Sequence, residues 1–141
     1  MVILDTNVIS ALIRQEPHPD PAIVSWLDRQ SRLSMWTTSV TVLEIRFGLA
    51  IMAAGRRQTS RLVAFERVLE EDLERRVLPF DNAAAEHAAS LMEQRRRVGR
   101  PGDLRDTMIA GIALAQRATL ATRNVRHFDD LSVPVVNPWN G

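Results

Sequence analysis

The chain has 141 residues, 45% hydrophobic and 25% charged, with a formal net charge of +1, the balance of an ordinary globular protein with one sizeable core. It contains no cysteine, which excludes a disulfide framework and thiolate metal sites and makes a reducing cytoplasm the expected compartment. All 18 cations are arginine, so phosphate loops built on a Gly-Lys pair, Schiff bases and lysine general bases are excluded too.

No apolar run approaches the roughly 18 residues of a membrane helix, and Met1 to Asp5 lack the basic start and long apolar stretch of a signal peptide. Val2-Ile3-Leu4 is a short apolar run, as expected of a buried parallel strand. Val8, Ile9, Leu12 and Ile13 then recur at helical spacing behind Thr6 or Asn7 as the cap. Residues 16–21 read as a loop, and Asp20-Pro21 opens a helix through Trp26 and Leu27. Leu33 to Thr37 reads as a second strand. Thr41 and Glu44 form a Thr-x-x-Glu capping pattern for a helix that Gly55 ends.

From Arg56 to Arg76 a charged stretch carries one apolar stripe, the mark of an amphipathic helix. Val77 to Phe80 is a third strand, limited by Pro79. Asp81 or Asn82 caps an Ala-rich helix to about Val98, which Gly99 to Gly102 breaks. Asp103 caps the next helix, Leu104 to Arg117. Thr119 to Thr122 and Val133 to Val136 supply strands four and five, ahead of an Asn137-Pro138-Trp139 tail. With no repeat or linker, residues 1–141 read as one domain. Strands alternating with helices imply a three-layer α/β/α architecture on a five-stranded parallel sheet.

Open parallel sheets place their sites at the carboxyl ends of the strands. Asp5 follows strand one, Glu44 falls in the first turn after strand two, Asp106 opens the helix entering strand four, and Asn124 follows strand four. Singly, each has a plain structural explanation as a cap, a dipole partner or a turn residue. Together they aim oxygens at one edge from four distant segments. Clustered carboxylates repel one another unless a cation neutralises them, and oxygen ligands without Cys or His select Mg²⁺ or Mn²⁺. Phosphodiester hydrolysis is the chemistry that fits. Arg95, Arg96, Arg97, Arg100 and Arg105 precede or flank Asp106 as an electropositive approach for a nucleic-acid backbone, or else as a solvated helix end. Of the histidines, His18 falls in the Pro-rich loop and His87 in the Ala-rich helix. His127 lies near the site, where a surface role is the preferred reading.

The segment Val2-Ile3-Leu4-Asp5-Thr6-Asn7-Val8-Ile9-Ser10 resembles the opening motif of PIN-domain toxins of the VapC type. Thr41-Val42-Leu43-Glu44, Asp106-Thr107-Met108-Ile109-Ala110 and Leu120-Ala121-Thr122-Arg123-Asn124 match that pattern in order, and Asn137-Pro138-Trp139 is similar to the FitB-like branch. The resemblance implies a Mg²⁺-dependent endoribonuclease (Mn²⁺ as substitute) acting as the toxin of a toxin–antitoxin pair. It implies Asp5, Glu44 and Asp106 as an acidic metal-binding triad, with Asn124 beside them and Thr6 supporting the pocket through its hydroxyl. Asn124 carries one charge fewer than Asp would, and Asp103 reads as a helix cap rather than as compensation for it.

The partners implied are a VapB-like antitoxin, an RNA such as tRNA or another structured RNA, and a second copy of the chain. Leu43, Phe47, Ile51 and Met52 are the apolar candidates for a contact surface, although core packing explains most of them. Receiver domains and haloacid-dehalogenase-like phosphatases share the architecture but use a lysine, and the latter an aspartate where Asn7 stands. The remaining alternative is a non-catalytic PIN-fold module with a weakened metal site that binds RNA or a partner.

Overall fold

The computed structural model describes residues 1–14 and 19–140. Residues 16–18 of the loop expected over 16–21, His18 among them, therefore lie outside the described residues. Five short strands, β1 (Val2–Leu4), β2 (Met35–Thr38), β3 (Val77–Leu78), β4 (Thr119–Ala121) and β5 (Val135–Val136), form one parallel sheet in the order β3-β2-β1-β4-β5. The central strand β1 pairs with β2 from Val2 opposite Met35 and with β4 from Val2 opposite Thr119.

Successive side chains of a strand point to opposite faces, and β1 divides the core accordingly. Leu4 joins the layer containing Val8, Ile9, Ile23 and Phe65, under α1 (Thr6–Ile13), α2 (Pro21–Asp28), α3 (Ser39–Ala50) and α4 (Arg56–Arg67). Ile3 joins the layer containing Ile109, Ile112 and Leu120, under α5 (Asn82–Arg97) and α6 (Leu104–Gln116). The two layers around the sheet are the expected α/β/α sandwich. Small residues let α5 and α6 touch through their backbones. A Cβ on Gly111 would stand 2.5 Å from the Ala84 carbonyl oxygen and 2.9 Å from the Ala88 Cβ.

Several boundaries depart from the sequence reading. Asp5 itself, rather than Thr6 or Asn7, caps α1 by accepting from the Thr6 amide. Leu33 lies in a 3-10 turn (Arg32–Ser34) and is exposed, so β2 begins at Met35. Thr38 caps α3 by accepting from the Thr41 amide, which puts Thr41 at the third helical position and Glu44 in the second turn. The Thr-x-x-Glu capping box is thus absent. α3 ends at Ala50, and Gly55 precedes α4 instead of closing α3. α4 passes into a π-helical turn (Val68–Asp72) and stops short of Arg76. Arg117 is a left-handed C-cap of α6.

Leu43, Phe47 and Ile51 do not pack into the core. They recur every fourth residue along α3 and its C-cap Ile51 and are 59%, 57% and 68% exposed, while Met52 packs against the core. Among the described residues no helix is long and apolar enough to cross a membrane.

Candidate active site

The carboxyl ends of β1 and β4 and the starts of α1, α3 and α6 surround a cleft of about 370 Å³ lined by Asp5, Thr6, Asn7, Glu44, Asp106, Arg123, Asn124 and Trp139. All four residues expected from the sequence, Asp5, Glu44, Asp106 and Asn124, line it. The parallel register accounts for this: β1 and β4 run side by side and release the chain at the same edge.

Asp5 sits deepest, only 3% exposed. Its Oδ1 accepts the Thr6 amide at 2.8 Å, and its Oδ2 accepts the buried Thr122 hydroxyl at 2.7 Å. The Asn7 amide reaches the same Oδ2 at 3.5 Å and Thr122 Oγ1 at 3.2 Å, while Asn7 Oδ1 accepts the Arg123 amide. These bonds lash the loop after β1 to the loop after β4. Burial pushes the Asp5 carboxyl up from 3.8 to about 6; the bonds from Thr122 and Thr6 oppose that rise, and the nearby charges of Asp106 and Glu44 add to it.

Glu44 is reached from α1: the Thr6 hydroxyl donates to its Oε1 at 2.8 Å and lies 3.0 Å from the Thr41 hydroxyl. Its Oε2 stands 3.7 Å from Arg105 Nη1. The Glu44 carboxylate therefore serves the cleft and not a capping box. Asp106 lies in the first turn of α6, where Asp103 caps the helix by accepting the Arg105 and Asp106 amides. Asp106 Oδ2 meets His127 Nδ1 at 3.1 Å, so His127, exposed at the surface as expected, also touches a cleft carboxylate. Asn124 is exposed at the rim, and its backbone amide donates to Thr122 Oγ1. Within the arginine run, Arg97 and Arg100 are exposed, as a solvated helix end requires, and Arg95 departs from both readings. Arg95 is buried and paired with Asp130 through two bonds, Arg97 pairs with Glu93, and Arg100 with Asp129. Only Arg105 of that group touches a cleft carboxylate.

Sequence reasoning missed Asn7 and Thr122 as struts, because their partners lie more than a hundred residues away. The closing tail also has a place at the site. Trp139 donates from Nε1 to Asp20 Oδ2, the cap of α2, and the Arg123 guanidinium lies 4.8 Å over the indole ring. The tail thus closes one wall of the cleft.

Among the described residues no three acidic or imidazole side chains come close enough to enclose one ion by themselves. A hard cation here would take one or two carboxylates and complete its shell with water, which is the habit of Mg²⁺. A buried carboxyl facing two further acids in an oxygen-lined cleft fits such an ion.

The family model described as PIN domain matches residues 2–133. The chain belongs to the PIN-domain family. This PIN domain is 40% identical over 139 residues to a protein of Sinorhizobium fredii named VapC ribonuclease Y4jK, covering 99% of this chain and 98% of that relative. It is 32% identical over 140 residues to Toxin FitB of Neisseria gonorrhoeae, covering 99% of both. The solved structure of FitAB bound to an IR36 DNA fragment superimposes on this PIN domain with a TM-score of 0.87 at 32% identity, over 99% of this chain and 96% of that one.

Proposed function

We propose that this PIN domain is a Mg²⁺-dependent endoribonuclease, the toxin of a toxin–antitoxin pair, which hydrolyses RNA phosphodiester bonds and inhibits growth until its antitoxin binds. The observation that carries the reading is the cleft itself. Four segments far apart in sequence meet there with three carboxylates and an amide, and one carboxyl is buried against the charges of the other two. Relatives of full length named as a ribonuclease and as a toxin support the same chemistry, and a neighbour whose solved structure is the FitAB complex supports an antitoxin as partner.

In this reading Asp5, Glu44 and Asp106 surround the metal, one or two of them binding it directly and the rest through its water, with the Asn124 amide at the rim. A divalent ion bound there supplies a water activated for attack and neutralises charge developing on the phosphate. The chain's own contribution is orientation. Thr122 and the Thr6 amide fix the two oxygens of Asp5, the Thr6 hydroxyl fixes Glu44, and His127 fixes one oxygen of Asp106. Asn124 presents an oxygen without adding charge. The alternative, a non-catalytic module, has only Asn124 in its favour, and three carboxylates kept together against their mutual repulsion have no use in it.

Expression in a bacterial host tests the biology: the chain alone arrests growth, and co-expression of the antitoxin encoded beside it restores growth. Calorimetric titration with Mn²⁺ tests the site; heat of binding from the wild type and none from Asp5→Asn is the expected pair. Equal titrations for both proteins would assign the metal elsewhere.

A further inference from the structure

Glu44 borders two depressions. The first is the acidic cleft. The second, of about 290 Å³, lies between α1, α3, α4 and the start of α6 and shares Thr6, Ser10, Arg14 and Glu44 with the first. Three guanidinium groups line it: Arg14 at the C-cap of α1, Arg61 in α4 and Arg105 in the first turn of α6. Against them stands one carboxylate, Glu44, which already accepts the Thr6 hydroxyl.

Among the described residues Arg14, which is exposed, and Arg61, which is half-buried, form no ion pair. Nearby arginines are neutralised, Arg46 by Glu66 and Arg67 by Glu71. Three guanidinium groups facing one carboxylate leave this depression with a net positive charge that an anion would neutralise. The lining between the guanidinium groups is apolar, through Leu49 and Met52, and Gly48 adds no side chain there. An arginine rim over an apolar floor suits a sugar-phosphate backbone with bases laid on the floor.

We propose that this cleft holds the RNA on one side of the scissile bond, Arg14, Arg61 and Arg105 binding the phosphates of an unpaired strand whose next phosphodiester enters the acidic cleft. The inference rests on the ribonuclease reading above. An unpaired strand leaves its bases free to lie on an apolar floor, whereas those of a duplex are stacked and turned inward.

The test uses Arg14→Gln, Arg61→Gln and the double variant, with Arg67→Gln, six residues along α4 and outside the cleft, as control. Anisotropy of a labelled single-stranded RNA in EDTA reads binding without cleavage, and steady-state cleavage with Mg²⁺ reads KM and kcat. Each cleft variant is expected to weaken binding about tenfold, the loss of one charge-assisted bond. Each also flattens the slope of log affinity against log salt by about 0.7. KM rises in step while kcat stays within about twofold of wild type, and Arg67→Gln behaves as wild type. Wild-type affinity and salt slope in the double variant overturn the proposal, as does a wild type that binds no RNA. Loss of inhibition by an acidic antitoxin segment, with RNA binding unchanged, overturns it in favour of a protein partner. Failure of the ribonuclease reading looks different: no protein cleaves, while the anisotropy still reports whether the arginines hold RNA.

Discussion

Asp5→Asn should make the metal-free fold more stable, although it removes the central ligand. Raising the carboxyl from 3.8 to about 6 makes ionising Asp5 in the fold about 3 kcal/mol less favourable at neutral pH than in the unfolded chain. The substitution removes that penalty but turns an amide NH₂ toward Thr122, whose hydroxyl donates to Oδ2, and losing that bond costs about 1 kcal/mol. The net gain is about 1–2 kcal/mol, or roughly 3–6 °C in Tm for a chain of this length.

Because the folded-state pKa is raised, the wild type gains stability from this group as pH falls through 6 and holds all of it below 3.8. The advantage of Asp5→Asn is therefore full at pH 7.5, shrinks through pH 6 to 4, and reverses slightly below that. Thermal unfolding of both proteins in EDTA across this range reads it directly, since other titrating groups cancel in the difference. Added Mn²⁺ should raise the Tm of the wild type alone and make the order of stability cross. An Asn variant less stable than wild type in EDTA at pH 7.5, or a difference that does not move with pH, would refute the buried-charge account of the site.

Asn124→Asp adds an anion at the cleft rim and should tighten Mn²⁺ binding in calorimetry, with single-turnover cleavage equal to wild type or faster, while Asn124→Ala lowers it only in part. Collapse of the Asp variant to background would mean that the amide's NH₂ is what the reaction needs. Phe47→Glu, on the exposed α3 stripe, should convert a dimer to monomer in light scattering at micromolar protein, and a wild type that is already monomeric contradicts the dimer. Gly111→Ala should lower Tm by roughly 3–10 °C in thermal unfolding, because overpacking at about 1–3 kcal/mol outweighs the better helix propensity of alanine. An unchanged or higher Tm would mean that α5 and α6 separate easily.

The parts of the fold readable from sequence were those with local signals. Val2-Ile3-Leu4 as a buried strand, Asp20-Pro21 as a helix start and Asp103 as a cap each depend on neighbours within four residues. The start of the helix after β2 is ambiguous in sequence because two threonines, Thr38 and Thr41, both offer a capping hydroxyl, and backbone geometry selects the earlier one. Leu33 looked like strand because it is apolar, yet a 3-10 turn exposes it. The positions of Asp5, Glu44, Asp106 and Asn124 followed from topology, since consecutive parallel strands end at one edge. What joins them did not. The bonds from Thr6 to Glu44, from Thr122 to Asp5 and from His127 to Asp106 span 38, 117 and 21 residues, and no periodicity encodes them. The arginines misled for the same reason: Arg95 reads as a surface cation until Asp130 is seen beside it.

The most direct test is cleavage of a structured RNA by purified wild type, Asp5→Asn and Asp106→Asn, each with Mg²⁺ and with excess EDTA. The account predicts cleavage by the wild type with Mg²⁺ alone, and none by either variant or in chelator. Undiminished cleavage in EDTA, or wild-type rates from either variant, would contradict a metal-dependent nuclease built on this cleft.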